Sequence, residues 1–182
     1  MRWERLFDDL EAQLEAEERT AAEGEIADLV RAERARLAVV DRLKAHLGEP
    51  LTWALVTGEP ALTGRLLDVG ADWVLVATAS GESLIPIGAV QSITGLSRFT
   101  APEAGEVARR LGIGVILRGL SRDRAVVGIR LKGDQRVTGT IDRVGVDHCD
   151  LAVHPEDEPR RERAVREVRC VLLPAIVGVS VR

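Results

Sequence analysis

The sequence predicts a mainly β protein in which an α-helical N-terminal extension precedes two five-stranded small barrels. Three observations carry this prediction: a proline-free stretch over residues 2–47, a pattern that occurs twice further along, and short apolar runs separated by turns rich in glycine. The predicted organisation is a helical, coiled-coil-like segment over 1–48, a first barrel over 49–97 and a second barrel over 98–182.

The helical segment is predicted from its composition. It is rich in Ala, Glu, Leu and Arg, and Gly24 is its only strong breaker, so it forms either one bent helix or a helical hairpin. Gly48-Glu49-Pro50 supplies a C-cap glycine and a residue that ends the helix. Apolar residues near the terminus have heptad-like spacing and are the candidates for self-association; they are Trp3, Leu6, Phe7, Leu10 and Leu14. This seam either covers a barrel of its own chain or forms a coiled-coil or helix-swapped dimer.

The first barrel is predicted from five short apolar runs bounded by turn residues. The predicted strands are Leu51–Thr57, Ala61–Val69, Trp73–Thr78, Ser83–Ile87 and Val90–Thr94. Gly64 lies inside the second of these strands, where a small sheet has to bend sharply if it is to close on itself.

The second barrel is predicted from an internal repeat. The pattern from Leu62 to Asp72 returns from Val137 to Asp147, 75 residues later. Ile87, Val90 and Ile93 match Val165, Val168 and Val171 at an offset of 78, which predicts a three-residue insertion in the second copy.

Further elements are expected around the second copy. They are a helix over Pro102–Leu111, an added strand over Ile113–Arg118, a strand over Ala125–Leu131, and an apolar closing strand over Ala175–Val181. We expect the closing strand to pair with the added strand, with the first barrel or with a second protomer, because an unpaired apolar edge aggregates.

Basic residues of the second barrel are the candidate contacts for an anion or a nucleic acid. They are Arg118, Arg122, Arg124, Arg130, Lys132 and Arg136. Acidic residues interleave with them, so a solvated surface of mixed charge is the alternative. Aromatic residues make up only 3% of the chain, too few for the stacking platforms that bind single-stranded nucleic acids.

The chain lacks the familiar signatures of an enzyme. It has no GxSxG motif and no phosphate-binding glycine loop, and we predict no catalytic residues and no cofactor. His148, Cys149, Asp150 and His154 match no paired-ligand spacing, and neighbouring strand residues point to opposite faces, so no metal site is predicted. Cys149 and Cys170 are interpreted as small core residues in a reducing compartment. Since no apolar run is long enough to span a membrane, we expect a cytoplasmic protein without membrane contact.

Each repeat resembles the Sm-like barrels, a family that includes the RNA chaperone Hfq. The resemblance is carried by a preceding helix, five bent strands, Leu62-x-Gly64-x-Leu66 and Ile87-Gly88-x-Val90-x-x-Ile93. It implies an SH3-like barrel that forms rings through edge strands and binds RNA. The nucleotide-binding positions do not transfer, because Pro86, Ile87 and Gly88 stand where Hfq has an aromatic residue, a lysine and a histidine.

The function expected from the sequence is therefore that of a non-enzymatic scaffold. It would act through protein–protein contacts and self-association, as a homodimer or a pseudo-symmetric assembly. The alternative is an RNA- or DNA-binding regulator that uses the arginines of the second barrel.

Overall fold

The computed structural model describes residues 25, 28–32, 35–57, 60–100, 111–157 and 164–181. The chain divides into two units after Ala38, and residues 39–182 form one of them. In the first unit, residues 28–32 and 35–36 are helical, in agreement with the predicted helical segment. The candidate self-association residues Trp3 to Leu14 and the predicted helix from Pro102 onward lie outside the described residues.

The described residues of the second unit form two helices and ten strands. Its first half comprises helix α1 (Val39–Lys44) and strands β1 (Pro50–Leu55), β2 (Leu62–Val69), β3 (Trp73–Thr78), β4 (Gly81–Pro86) and β5 (Val90–Thr94). Its second half comprises helix α2 (Ile113–Arg122) and strands β6 (Val126–Leu131), β7 (Arg136–Val144), β8 (His148–Val153), β9 (Glu167–Leu172) and β10 (Ile176–Val181). A 3₁₀ turn precedes the last strand of each half, at Ile87–Ala89 and Leu173–Ala175.

The predicted strand at Ile113–Arg118 is wrong, because this stretch belongs to α2. The apolar residues Ile113, Ile116, Leu117 and Leu120 recur at helical spacing, and Ile113 and Leu117 are buried in the second core. The apolar run is short enough to fit a strand as well, and burial of one helical face decides between the two.

All ten strands form one antiparallel sheet, in the order β5-β1-β2-β3-β4-β10-β6-β7-β8-β9. Among the described strands, β5 pairs only with β1 and β9 only with β8, so the ladder of the sheet is open. The structure thus shows one continuous open sheet where two closed barrels were predicted. The closing strand β10 pairs with β6 and with β4, so the structure shows the first repeat among the three partners expected for it.

The two halves repeat each other in register. Trp73 of β3 pairs with Pro86 of β4, and the equivalent pair in the second half is His148 of β8 with Leu172 of β9. Equivalent residues are therefore 75 positions apart between β3 and β8, but 86 positions apart between β4 and β9. The predicted later offset of 78 is therefore wrong. Val165, Val168 and Val171 have the same spacing as Ile87, Val90 and Ile93 but are not their structural equivalents. The counterpart of the 3₁₀ turn Ile87–Ala89 is the 3₁₀ turn Leu173–Ala175.

The bends of the strands are repeated too. A bulge lies between Leu66 and Asp68 in β2 and between Ile141 and Arg143 in β7. Gly64 and Gly139 occupy equivalent positions before these bulges, and at both a Cβ atom would collide with a backbone carbonyl of the next strand, Ala77 O or Ala152 O. The close approach of the strands therefore requires glycine at both places.

The described residues of the unit form two apolar cores, one for each half. The first contains Trp53, Leu66 and Ile85, and the second contains Leu117, Ile129 and Leu151. None of the described helices has the length and apolar character to cross a membrane.

Candidate protein-binding edge

The two halves are joined by strands β4 and β10. Each of these strands contributes apolar side chains to the core of the other half. Val179 of β10 lies opposite Leu84 of β4. Leu84 and its neighbour Trp73 belong to the second core, although both come from the first half of the chain. Val177 of β10 belongs to the first core and is fully buried there. Each half therefore completes the core of the other.

The turn before β3 holds the start of α2. Asp72 Oδ1 accepts a hydrogen bond of 2.7 Å from the backbone N–H of Ile113, and the Trp73 indole N–H donates one of 2.8 Å to Leu111 O. The Trp73 ring is only 6% exposed and its N–H is occupied, so Trp73 serves the joint between the halves.

A partly open apolar pocket of about 250 Å³ lies beside the outer strand β5. The β1 residue Trp53, helix α1 and the segment after β5 supply its other walls. Its apolar lining consists of Val39, Leu43, Trp53, Ile87, Val90, Ile93 and Leu96. Arg42, Gln91 and Ser92 add polar groups.

A hydrogen-bond network around His46, which is 4% exposed, fixes one wall of the pocket. The backbone N–H of Ser97 donates to His46 Nε2 at 3.0 Å, so Nδ1 carries the proton and donates to Arg42 O at 2.8 Å. The Arg42 guanidinium in turn donates to Ser97 O at 2.6 Å and to Leu96 O at 3.3 Å. These bonds fasten the chain after β5 to α1 and fix the wall formed by Leu96.

The internal repeat shows what fits such a pocket. In the second half, Ile129 pairs with Val179, as Trp53 pairs with Ile93 in the first half. On the other side of β10, Leu84 of β4 lies opposite Val179. On the equivalent side of β5, no described strand lies beside Ile93, and the pocket occupies the position that corresponds to Leu84.

Trp53 is one of the residues that line this pocket. Its side chain is fully buried, yet the indole N–H has no hydrogen-bond partner within the described residues. Buried tryptophan N–H groups normally find an acceptor. The unpaired N–H is itself inaccessible to solvent, so Trp53 contributes an apolar surface to the pocket.

The basic residues predicted as anion contacts do not form one patch. Arg130 and Arg136 pair across β6 and β7 and line a cavity of about 230 Å³ between the halves, together with Glu82. Arg118 and Arg122 are exposed on α2, Arg124 follows in the turn after it, and Lys132 lies in the β6–β7 turn. These four are not among the residues that line the cavity.

The residues considered for a metal separate into two environments. His154 is buried and bonded to Thr140 Oγ1 at 2.9 Å, and Cys149 lies in the second core, where burial raises the pKa of its thiol to about 11. His148 and Asp150 face the other side of β8, next to Cys170 of β9. The interpretation as a core residue is confirmed for Cys149 and wrong for Cys170, which is exposed.

Comparison of the chain with protein-family models, with curated proteins and with solved structures found no match. The pocket was not found from the sequence, because its lining comes from three segments that only the register of β1 with β5 brings together. The one available signal was the repeat itself, in which Trp53 and Ile93 correspond to core residues of the second half.

Proposed function

We propose that the protein is a non-enzymatic scaffold built on two Sm-like barrels, and that it binds an extended strand of a partner along β5. The observation that carries this proposal is the pocket beside Ile93, whose counterpart in the second half is filled by Leu84 of a paired strand. Addition of a strand to an open sheet edge gains backbone hydrogen bonds, and the pocket selects an apolar side chain.

The proposal of Sm-like barrels is supported by the arrangement of each half. In both, a helix precedes five strands, the last strand pairs with the first, and the second strand bends at a glycine and a bulge. A joint made by the fourth strand of one half and the last strand of the other suits a fold that assembles through edge strands.

Among the described strands, β9 of a second copy is a candidate for the β5 edge, because one edge of β9 is also unpaired. Strand β9 is the counterpart of β4, and its Val168 and Leu172 are exposed. Such pairing would be head to tail and would build larger assemblies. The contact would be more polar than the internal joint, since Cys170 replaces Leu84 and Gln91 replaces Val177. We therefore expect reversible rather than permanent association.

A photo-reactive amino acid placed at Gln91 in intact cells tests this proposal. Gln91 is exposed on β5 and lines the pocket, so we expect covalent adducts there, and mass spectrometry of the adduct distinguishes a second copy from another protein. The matched control is the same amino acid at Val146, which is 98% exposed in the β7–β8 turn. Equal adduct yields at the two positions would contradict binding along β5.

Nucleic-acid binding is the second candidate, favoured by the approach of Arg130 to Arg136 in the cavity between the halves. Both arginines make interactions within the protein, and Glu82 lines the same cavity. The scaffold proposal predicts little electrophoretic shift of mixed RNA or DNA at moderate salt. Tight binding that weakens steeply with salt, and that Arg130→Ala with Arg136→Ala abolishes, would favour the second candidate.

A further inference from the structure

The outer face of the second half carries metal-ligating side chains where the first half carries apolar ones. His148 corresponds to Trp73, and the paired residues Asp150 and Cys170 correspond to the paired residues Leu75 and Leu84. In the first half this face packs against the second core. In the second half, no described strand covers it.

The three side chains converge. One ligand atom from each of His148, Asp150 and Cys170 lies within 4.8 Å of the other two. Zinc bonds of roughly 2.0–2.3 Å would hold such donors roughly 3.5 Å apart, a change that small side-chain rotations supply. Asp150 has no hydrogen bond or ion pair among the described residues, although Arg143 lies opposite it on β7, so its carboxylate is available.

The His148 ring is held in place by its surroundings. Its Nδ1 lies 2.8 Å from Asp147 Oδ1, which fixes the proton on Nδ1. The lone pair of Nε2 is therefore available to bind a metal. The ring also lies against Gly145, where a Cβ atom would collide with it. A carboxylate that orients a ligating histidine is the usual outer shell of a zinc site.

We propose that His148, Asp150 and Cys170 bind a divalent transition metal of the zinc type, with Asp147 as a positioning residue. Nitrogen, oxygen and thiolate donors together suit zinc, and three protein ligands leave one coordination position for water. The proposal does not rest on the β5 edge, because a metal is bound by the single chain.

The sequence predicted no metal site here, because His148 and Cys149 are adjacent and neighbouring strand residues point to opposite faces. Cys149 faces the core. The thiol of the site is that of Cys170 in β9, which lies twenty residues after Asp150 in the chain and directly opposite it in the sheet.

Titration of the metal-free, full-length protein with Co²⁺ tests the proposal. We expect one equivalent to bind with a thiolate-to-cobalt charge-transfer band, and Zn²⁺ to displace it. Cys170→Ser should abolish the band, whereas Cys149→Ala, which also leaves one thiol, should keep it. Absence of the band in the unaltered protein, or its persistence in Cys170→Ser, would overturn the site; Cys170 is exposed, so its substitution leaves the core intact.

The positioning role has its own readout in Zn²⁺ affinity, measured by competition with a chromophoric chelator. Asp147→Asn should weaken Zn²⁺ binding roughly 10–100-fold while retaining the cobalt band. The matched control Asp157→Asn, an exposed carboxylate outside the cluster, should leave the affinity unchanged. Equal affinities in the two variants would overturn the role of Asp147.

Discussion

Replacing Val177 with aspartate should destabilise both halves of the sheet at once. Val177 is fully buried in the first core, where an unpaired carboxylate costs about 3–5 kcal/mol. This is a large share of the roughly 5–15 kcal/mol that stabilises a typical domain. In urea denaturation we expect a much lower midpoint of unfolding. Both halves should lose structure, because β10 contributes side chains to both cores. Burial would raise the pKa of the new carboxyl, so the deficit should shrink as the pH falls and the group becomes neutral.

The control for this variant comes from the repeat. Gln91 occupies the position in β5 that Val177 occupies in β10, and it is exposed. Gln91→Asp should change the free energy of unfolding by no more than about 0.5 kcal/mol. If the two variants were equally stable, Val177 would not reach the first core and the description of the joint would be wrong.

Replacing Trp53 with alanine should cost about 3–5 kcal/mol, because the largest fully buried side chain of the first core would be lost. Trp53→Phe should cost much less, since it keeps an aromatic ring in the core and removes the indole N–H that has no partner in the described part of the chain. Thermal and urea unfolding monitored by circular dichroism measure both variants. Phe99→Ala, at a site that is 78% exposed, is the matched control and should be near neutral.

Comparable stability of Trp53→Ala and Phe99→Ala would contradict the placement of Trp53 at the centre of the first core. A Trp53→Phe variant that is as unstable as Trp53→Ala would show that the indole N–H makes a necessary bond within the folded protein.

The strands were predictable from the sequence because alternation and turn residues act locally. Trp73–Thr78 and Val90–Thr94 were predicted with the bounds that the structure has, and Gly64 marked the bend of the second strand. The stretch Ile113–Arg118 was mistaken for a strand because a short run rich in β-branched residues fits the periodicity of a strand as well as that of a helix. Only its packing against the second half makes it helical.

The joint and the pocket were beyond the sequence because they depend on register between distant strands. Nothing near Val177 in the chain says that it enters the first core while Val179, two residues on, enters the second. Cys170 likewise acquires its chemical neighbours only through pairing with β8. The repeat then makes these tertiary facts interpretable, since each position has a counterpart in a different environment.

The claim that β5 accepts a strand is tested most directly by NMR titration with a peptide of residues 80–88, the β4 strand that carries Leu84. We predict changes in chemical shift at the amides of Val90–Thr94 and at the indole N–H of Trp53, with no effect from the same peptide carrying Leu84→Asp. Unchanged resonances at β5 and Trp53 at the highest peptide concentration, or equal changes with both peptides, would contradict the proposed binding edge.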